Sequence, residues 1–210
     1  MFITLIGMSG IGKSYWSKKL EQHGFTRFGC DDLITDYLAR QMGYDDPRQF
    51  DMHAWVGYPD QAIYAEHAQK YLQTEELVLR DIVKFLENTN ENQNIVIDST
   101  GSIIYMKSAI INQLQKLTDF IYLDITTEDL DKMLAYYLKN PVAIIWNGYF
   151  QPKTHESRQE TFERCYPQLI KSREQKYKEL AKTILPPEIH RKDGTKVDHI
   201  LAFIQENKLL

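Results

Sequence analysis

Residues Gly7-Met8-Ser9-Gly10-Ile11-Gly12-Lys13-Ser14 read G-x-x-x-x-G-K-S, and they follow the apolar run Phe2-Ile3-Thr4-Leu5-Ile6. A phosphate-binding loop works when a buried strand delivers it and a helix leaves from it, and both neighbours are present here. Glycines let backbone N–H groups turn toward phosphates, and the helix N-terminus adds its positive dipole end. In that geometry Gly7, Ser9, Gly10, Ile11 and Gly12 form the cradle, with Tyr15 next to it at the start of the helix. Lys13 would reach the β/γ-phosphates, and the Ser14 hydroxyl would sit on Mg²⁺. The expected ligand is a nucleoside triphosphate with its magnesium.

Working outward, apolar runs and helical periodicities alternate, which is the pattern of a sheet with helices on its faces. Strands are expected at 2–6, 25–28, 95–97, 120–123 and 184–185, and helices at 14–22, 32–41, 60–87, 105–116, 127–139, 158–182 and 196–206. Thr126 or Thr127 can cap the helix that follows Leu123-Asp124-Ile125. Segments 43–59 and 141–154 break the rhythm with proline, glycine and aromatic residues. Irregular stretches of that length inside a compact domain are binding loops or lids. The reading is a single domain over 1–210 with a lid at about 140–157, mobile without ligand and ordered with it.

The 210 residues suffice for one domain with a substantial core. A net charge of −4 argues against broad nucleic-acid binding, which uses a basic surface. Cys30 and Cys165 lie far apart without a C-x-x-C, and the histidines lack ligand spacing, so no zinc site or disulfide framework is indicated. No stretch approaches the ~20 apolar residues of a membrane span. The expectation is a cytoplasmic protein that contacts neither membrane nor nucleic acid, with a monomer as the default and the oligomeric state otherwise open.

Three further groups carry chemistry. Ile95-Val96-Ile97-Asp98 ends an apolar strand in an acid at the edge where open α/β sheets bind ligands. Asp98 there can hold Mg²⁺ directly or through water, because Mg²⁺ keeps several waters. The turn Ser99-Thr100-Gly101-Ser102 offers hydroxyls and N–H groups to a polar substrate. Phe28-Gly29-Cys30-Asp31-Asp32 places Asp32 as a helix cap and Asp31 at the sheet edge, where a carboxylate could orient and deprotonate an acceptor hydroxyl. Arg158, Arg164 and Arg173 could supply positive charge to an anionic substrate or to the developing phosphoryl charge.

These pieces together resemble the shikimate-kinase-like branch of the P-loop kinases, from Phe2 to about Phe203. The resemblance rests on 7–14, on Asp31-Asp32-Leu33-Ile34, on the 99–102 turn and on 172–181, which is similar to an R-x-P-x-Y-x-x-x-A helix with Gln175 in place of proline. It implies a three-layer α/β fold, a five-stranded parallel sheet in order 2-3-1-4-5, and ATP- and Mg²⁺-dependent phosphoryl transfer to a hydroxyl of a small metabolite. Asp31 would match the family's substrate-hydroxyl aspartate and Arg173 its catalytic-site arginine for the substrate carboxylate. Thr100-Gly101-Ser102 would replace its triple-glycine substrate turn. The chain departs from the family at Gly29, where an aspartate is usual, and at Leu72 and Asn140, where arginines are expected. Each lost charge-assisted contact to a carboxylate costs on the order of 1.5–3 kcal/mol, which points away from shikimate itself.

Three rival functions share the loop. A nucleoside or nucleotide kinase would carry several lid arginines, and 141–154 holds only Lys153 as a cation. A GTPase would match D-x-x-G at Asp98-Ser99-Thr100-Gly101, but its base-recognition counterpart, Thr195-Lys196-Val197-Asp198, leaves no room for a following strand and helix. A non-catalytic nucleotide-binding regulatory protein would explain the missing arginines.

Overall fold

The computed structural model describes residues 1–90, 92–140 and 142–207. Five parallel strands form one sheet: β1 (Phe2–Ile6), β2 (Thr26–Gly29), β3 (Ile95–Asp98), β4 (Asp119–Leu123) and β5 (Thr183–Leu185), in spatial order β2-β3-β1-β4-β5. The three inner strands are near-continuous runs of Ile, Leu, Val and Phe and are almost wholly buried, as a sheet covered on both faces requires. The expected sheet and strand order are both present.

The connecting helices are α1 (Lys13–Gln22), α2 (Cys30–Gln41), α3 (Met52–Val56), α4 (Tyr64–Glu87), α5 (Ser108–Leu117), α6 (Thr127–Lys139), α7 (Arg158–Leu180), α8 (Pro187–His190) and α9 (Val197–Glu206). Helix α4 buries Ala68, Tyr71, Glu75, Val78, Leu79, Ile82 and Leu86, one face at helical spacing. Thr126 caps α6, its N–H and hydroxyl both donating to Asp129 Oδ2, at 2.7 and 2.9 Å. The alternative cap, the Thr127 side chain, lies outside the described residues. Helix α7 opens on a reciprocal pair: Glu160 N–H donates to Ser157 Oγ, and Ser157 N–H donates to Glu160 Oε2.

Several boundaries differ from the sequence reading. Helix α2 starts at Cys30 behind Gly29, so Asp32 is no cap but sits with Asp31 in the first turn, where the dipole favours both acids. Helix α4 starts at Tyr64 rather than at 60, because Gly57 at φ 72° and the Gln61 side chain, accepting from Tyr58 N–H, shape a turn first. A 3-10 turn, Ile103–Tyr105, precedes α5. The 43–59 segment is not wholly irregular: it holds a 3-10 turn, Pro47–Gln49, and α3, capped by Asp46 and Asp51.

Register positions the functional edge. Leu5 pairs with Asp98, and Asp98 pairs with Gly29 on its other side. The chain leaves β1 toward β2 and β3 on one side and later adds β4 and β5 on the other. The loop after β1 therefore lies at the topological switch point, where open α/β sheets bind ligands.

Candidate functional site

The loop between β1 and α1 has the conformation its glycines permit. Gly10 and Gly12 lie at φ 78° and 111°, which side chains with a Cβ rarely adopt. A Cβ on Gly7 would stand 3.0 Å from the Leu123 carbonyl of the neighbouring strand. Helix α1 begins behind Gly12 with no capping side chain and no acid in its first turn. Its leading N–H groups and dipole are thus left to an anion.

Lys13 is only 7% exposed and folds back, Nζ donating to the carbonyls of Gly7 and Met8 at 2.9 Å each. Burial lowers its pKa, against the pull of Asp98 and Asp31. Ser9 and Gly10 line a cavity of about 560 Å³ with Lys132, Tyr136 and Val142, while Ser14 and Tyr15 face outward. Arg191 at the rim of that cavity pairs with Asp129.

Asp98 is 5% exposed at the end of β3, and its Oδ2 accepts from Ser17 Oγ (3.0 Å) and Arg27 Nη2 (2.8 Å). Ser17 also donates to the Ser14 carbonyl, which ties Asp98 to the first turn of α1. Arg27 further donates to Ser17 and to Asp32 at 3.1 Å. Neither Arg27 nor Ser17 stands out in the sequence. An arginine on an edge strand and a serine on a helix face carry no signal before register is known.

Asp31 is accessible, and its Oδ1 accepts from the buried Tyr71 hydroxyl at 2.9 Å. Although part of the residue reaches solvent, desolvation of the carboxyl by the surrounding chain pushes it up, with Lys13 and Tyr71 opposing. Both acids therefore stand within electrostatic reach of Lys13.

The 99–102 turn behaves differently from the reading of its hydroxyls as substrate ligands. Thr100 and Ser102 both donate to the Glu75 carboxylate, the second at 2.5 Å, and Thr100 Oγ1 lies 3.0 Å from Ser102 Oγ. Glu75 is fully buried, and desolvation pushes it up to about 7 although Ser102 and Thr100 favour its charge. Glu75 and Tyr71 escaped the sequence reading because they share the buried face of α4 with core residues. Gly101 is the close approach: a Cβ there would meet Arg173 Nη1 at 3.2 Å and Ser9 N at 3.6 Å. The turn thus presses on the phosphate loop.

Arg173, 2% exposed on α7, reaches the same point. Its guanidinium donates to the Gly101 carbonyl (3.3 Å) and the Ile145 carbonyl (2.5 Å), and Tyr177 also donates to Gly101 at 2.6 Å. Burial opposes its charge, but Tyr177 and Tyr105 outweigh that and its pKa is raised. Among the described residues no carboxylate lies within ion-pair distance of it. Arg158 and Arg164 are placed elsewhere, paired with Asp60 and Glu156. Leu72 is half-buried against the core, and Asn140 caps the end of α6. Pro141 lies outside the described residues.

The segment expected to be a lid is partly a wall. Ile144, Ile145 and Trp146 are buried; Tyr64 Oη donates to the Ile144 carbonyl and accepts from Trp146 N–H, both at 2.8 Å. Trp146 Nε1 donates to Tyr137 Oη within a cluster that includes Phe150, Phe162 and Tyr166. Residues 151–155 are exposed.

Among the described residues no group of three His, Cys, Asp or Glu could hold a metal by itself, and no helix is long and apolar enough to cross a membrane. No protein-family model matches the chain, and no curated protein matches it in sequence. Solved structures do. A shikimate kinase from Acinetobacter baumannii in complex with shikimate superposes with a TM-score of 0.62 at 20% identity, covering 99% of this chain and 94% of that one. A shikimate kinase from Bacteroides thetaiotaomicron gives 0.56 at 14% identity, over 97% and 95%. A gluconokinase from Sinorhizobium meliloti gives 0.38 at 14% identity, over 86% and 93%. The chain has the α/β P-loop kinase fold of the shikimate kinases.

Proposed function

We propose that the protein is a P-loop kinase that transfers the γ-phosphoryl group of ATP·Mg²⁺ to a hydroxyl of a small metabolite. The observation that carries this reading is convergence: Lys13 of the uncapped loop stands within electrostatic reach of Asp31 and Arg173, and Arg173 and Ser9 of the same loop both approach Gly101. Phosphoryl transfer needs little more than positioning and charge stabilisation, and these are the groups that supply them.

In this reading the loop N–H groups and Lys13 hold the phosphates. Lys13 exchanges its two carbonyl partners for phosphate oxygens, a move its short bonds to the loop make local. Asp31 accepts the proton of the acceptor hydroxyl as it attacks, and Tyr71 keeps that carboxylate oriented. Arg173 grips an anionic group of the acceptor.

The donor set near the loop fits magnesium in one way. Mg²⁺ takes few protein ligands and retains water. The Ser14 hydroxyl is exposed at the loop, whereas Asp98 Oδ2 already receives Ser17 and Arg27. Ser14 would bind the ion directly and Asp98 would hold one of its waters. When bound, the ion would supply neutralising charge to the phosphates.

A panel of hydroxylated metabolites assayed for ADP release with ATP and Mg²⁺ tests the function. Turnover with one acceptor, abolished in Lys13→Ala, supports it. Nucleotide binding without turnover on any acceptor would leave a regulatory module instead.

A further inference from the structure

Side chains from three elements hold the wall segment that runs into Trp146. Tyr64 of α4 donates to the Ile144 carbonyl and accepts from Trp146 N–H, both at 2.8 Å, and Arg173 of α7 donates to the Ile145 carbonyl. Both of these side chains are buried. The remaining tie lies at the surface: Ala143 N–H donates to His53 Nδ1 at 3.1 Å, between positions 90 residues apart. An amide proton at Nδ1 leaves the ring's own proton on Nε2. His53 is then an acceptor at one defined atom.

What the tie holds is a tight bend. Ile144 N–H donates to the Val142 carbonyl at 2.7 Å, a γ-turn centred on Ala143. Val142 and Ile144 flank the pinned residue, and both line the cavity of about 560 Å³ beside Ser9 and Gly10 of the phosphate loop. His53 is itself held in place. It sits on α3, whose first turn the Asp51 side chain caps by accepting from Ala54 N–H. Its neighbour Met52 is buried, the sulfur 3.3 Å from Thr35 Oγ1, and that hydroxyl donates to the Asp31 carbonyl at 2.7 Å. Helix α3 is thereby seated against the turn that carries Asp31, and His53 stands within electrostatic reach of that carboxylate. One short helix links the acid at one side of the site to the cavity wall at the other.

We infer that His53 is a positioning residue of the site, its Nδ1 pinning Ala143 so that Val142 and Ile144 stay turned to the cavity at the phosphate loop. This rests on the kinase reading, in which the nucleotide enters that cavity. The buried ties at Tyr64 and Arg173 cannot open without stranding polar groups away from water, whereas water can replace an exposed imidazole. The wall therefore loosens first at Ala143.

The test compares wild type with His53→Ala, His53→Asn and His53→Gln. Asparagine can set its amide oxygen where Nδ1 stands, while glutamine reaches the place of Nε2. Hydrogen exchange without ligand reads the tie. The Ala143 amide should exchange roughly fivefold faster in His53→Ala and His53→Gln, and near the wild-type rate in His53→Asn. Thermal stabilisation by Mg·ADP, the probe, reads the effect on the site. Half-stabilisation should need several-fold more Mg·ADP in the first two variants and the wild-type concentration in His53→Asn. Melting without ligand should stay close to wild type in all three, because the side chain is exposed. Wild-type exchange in His53→Ala overturns the inference. So does an equal response to Mg·ADP in all four proteins, or rescue by glutamine as full as by asparagine. If Mg·ADP stabilises not even wild type, the kinase reading fails, and the exchange of Ala143 still decides the tie.

Discussion

The two ends of the site are built on opposite plans. The phosphate end is contiguous: Gly7 to Ser14 supply its turn, its N–H groups and its lysine within eight residues. The acceptor end is assembled from Asp31 on α2, Tyr71 and Glu75 on α4, Gly101 and Tyr105 after β3, and Arg173 on α7. On the proposed reading, backbone groups would do most of the binding at the first end and side chains at the second. A backbone cradle depends on glycine and helix placement and tolerates few alternatives, while a side-chain constellation can be rewritten one residue at a time. Departures from the pattern of the resembled family, at Gly29, Leu72 and Asn140, all fall outside the contiguous loop.

The largest expected effect tests the contiguous end. Lys13→Ala removes the cation held at the loop and should lower turnover by about 10³-fold or more, with weaker Mg·ATP binding. ATP-dependent thermal stabilisation measures the second effect by mass action. Wild-type ATP affinity in this variant would break the assignment of the phosphate end.

Next comes the division between the two acids. Asp31→Asn should lower turnover by about 10²–10⁴-fold while Mg·ATP affinity stays near wild type. Asp98→Asn should instead raise the magnesium concentration needed for half-maximal rate. Magnesium titration of both variants at saturating ATP decides it. An identical shift in the two would merge the ends that the comparison separates.

How much was legible follows the same contrast. The strands and the glycine turn between β1 and α1 were readable because each rests on a local pattern, apolar runs of Ile3-Thr4-Leu5-Ile6 type and a glycine motif between strand and helix, whereas the strand order followed from the family resemblance. Asp98 was readable as a strand-ending acid. Its partners Arg27 and Ser17 were not, since they meet it only through the pairing of Gly29 with Asp98 across β2 and β3. Glu75 was hidden for a sharper reason. Helical periodicity assigns position 75 to the core, and a core position says nothing about whether its occupant is an acid satisfied by two hydroxyls. The length of the 141–154 segment flagged it as functional, but the same aromatics that suggest a lid also suit the buried cluster that Trp146 and Phe162 form.

Glu75 gives a stability test of the assembled end. Its carboxyl rises from 4.5 to about 7 on folding, so the folded chain keeps a proton that the unfolded chain releases between those values. The corresponding stability is complete below pH 4.5 and is lost as pH rises through about 7. The gap amounts to about 3 kcal/mol. Urea denaturation at both ends of that window should show this decline in wild type and a flatter profile in Glu75→Gln. A wild-type slope of the opposite sign would contradict the buried-acid picture.

The smallest effect concerns Tyr71. Its hydroxyl bond lowers the Asp31 pKa against desolvation, so Tyr71→Phe should move the acid limb of the rate profile to higher pH. Turnover at neutral pH should fall by several-fold, with little change in the Michaelis constant for the acceptor. An unshifted acid limb would mean that Asp31 is not the proton acceptor.

The three tryptophans happen to divide the molecule into optically separate provinces. Trp16 is bonded to the His190 carbonyl behind the phosphate loop, Trp146 to Tyr137 beside the Arg173 strap, and Trp55 lies flat on His67, 4.0 Å between ring centres. Trp55 stands apart from both proposed ligand sites, while the other two indoles would each report on one of them. Variants that keep one tryptophan at a time would let nucleotide arrival and acceptor arrival be timed separately by fluorescence, with no label attached.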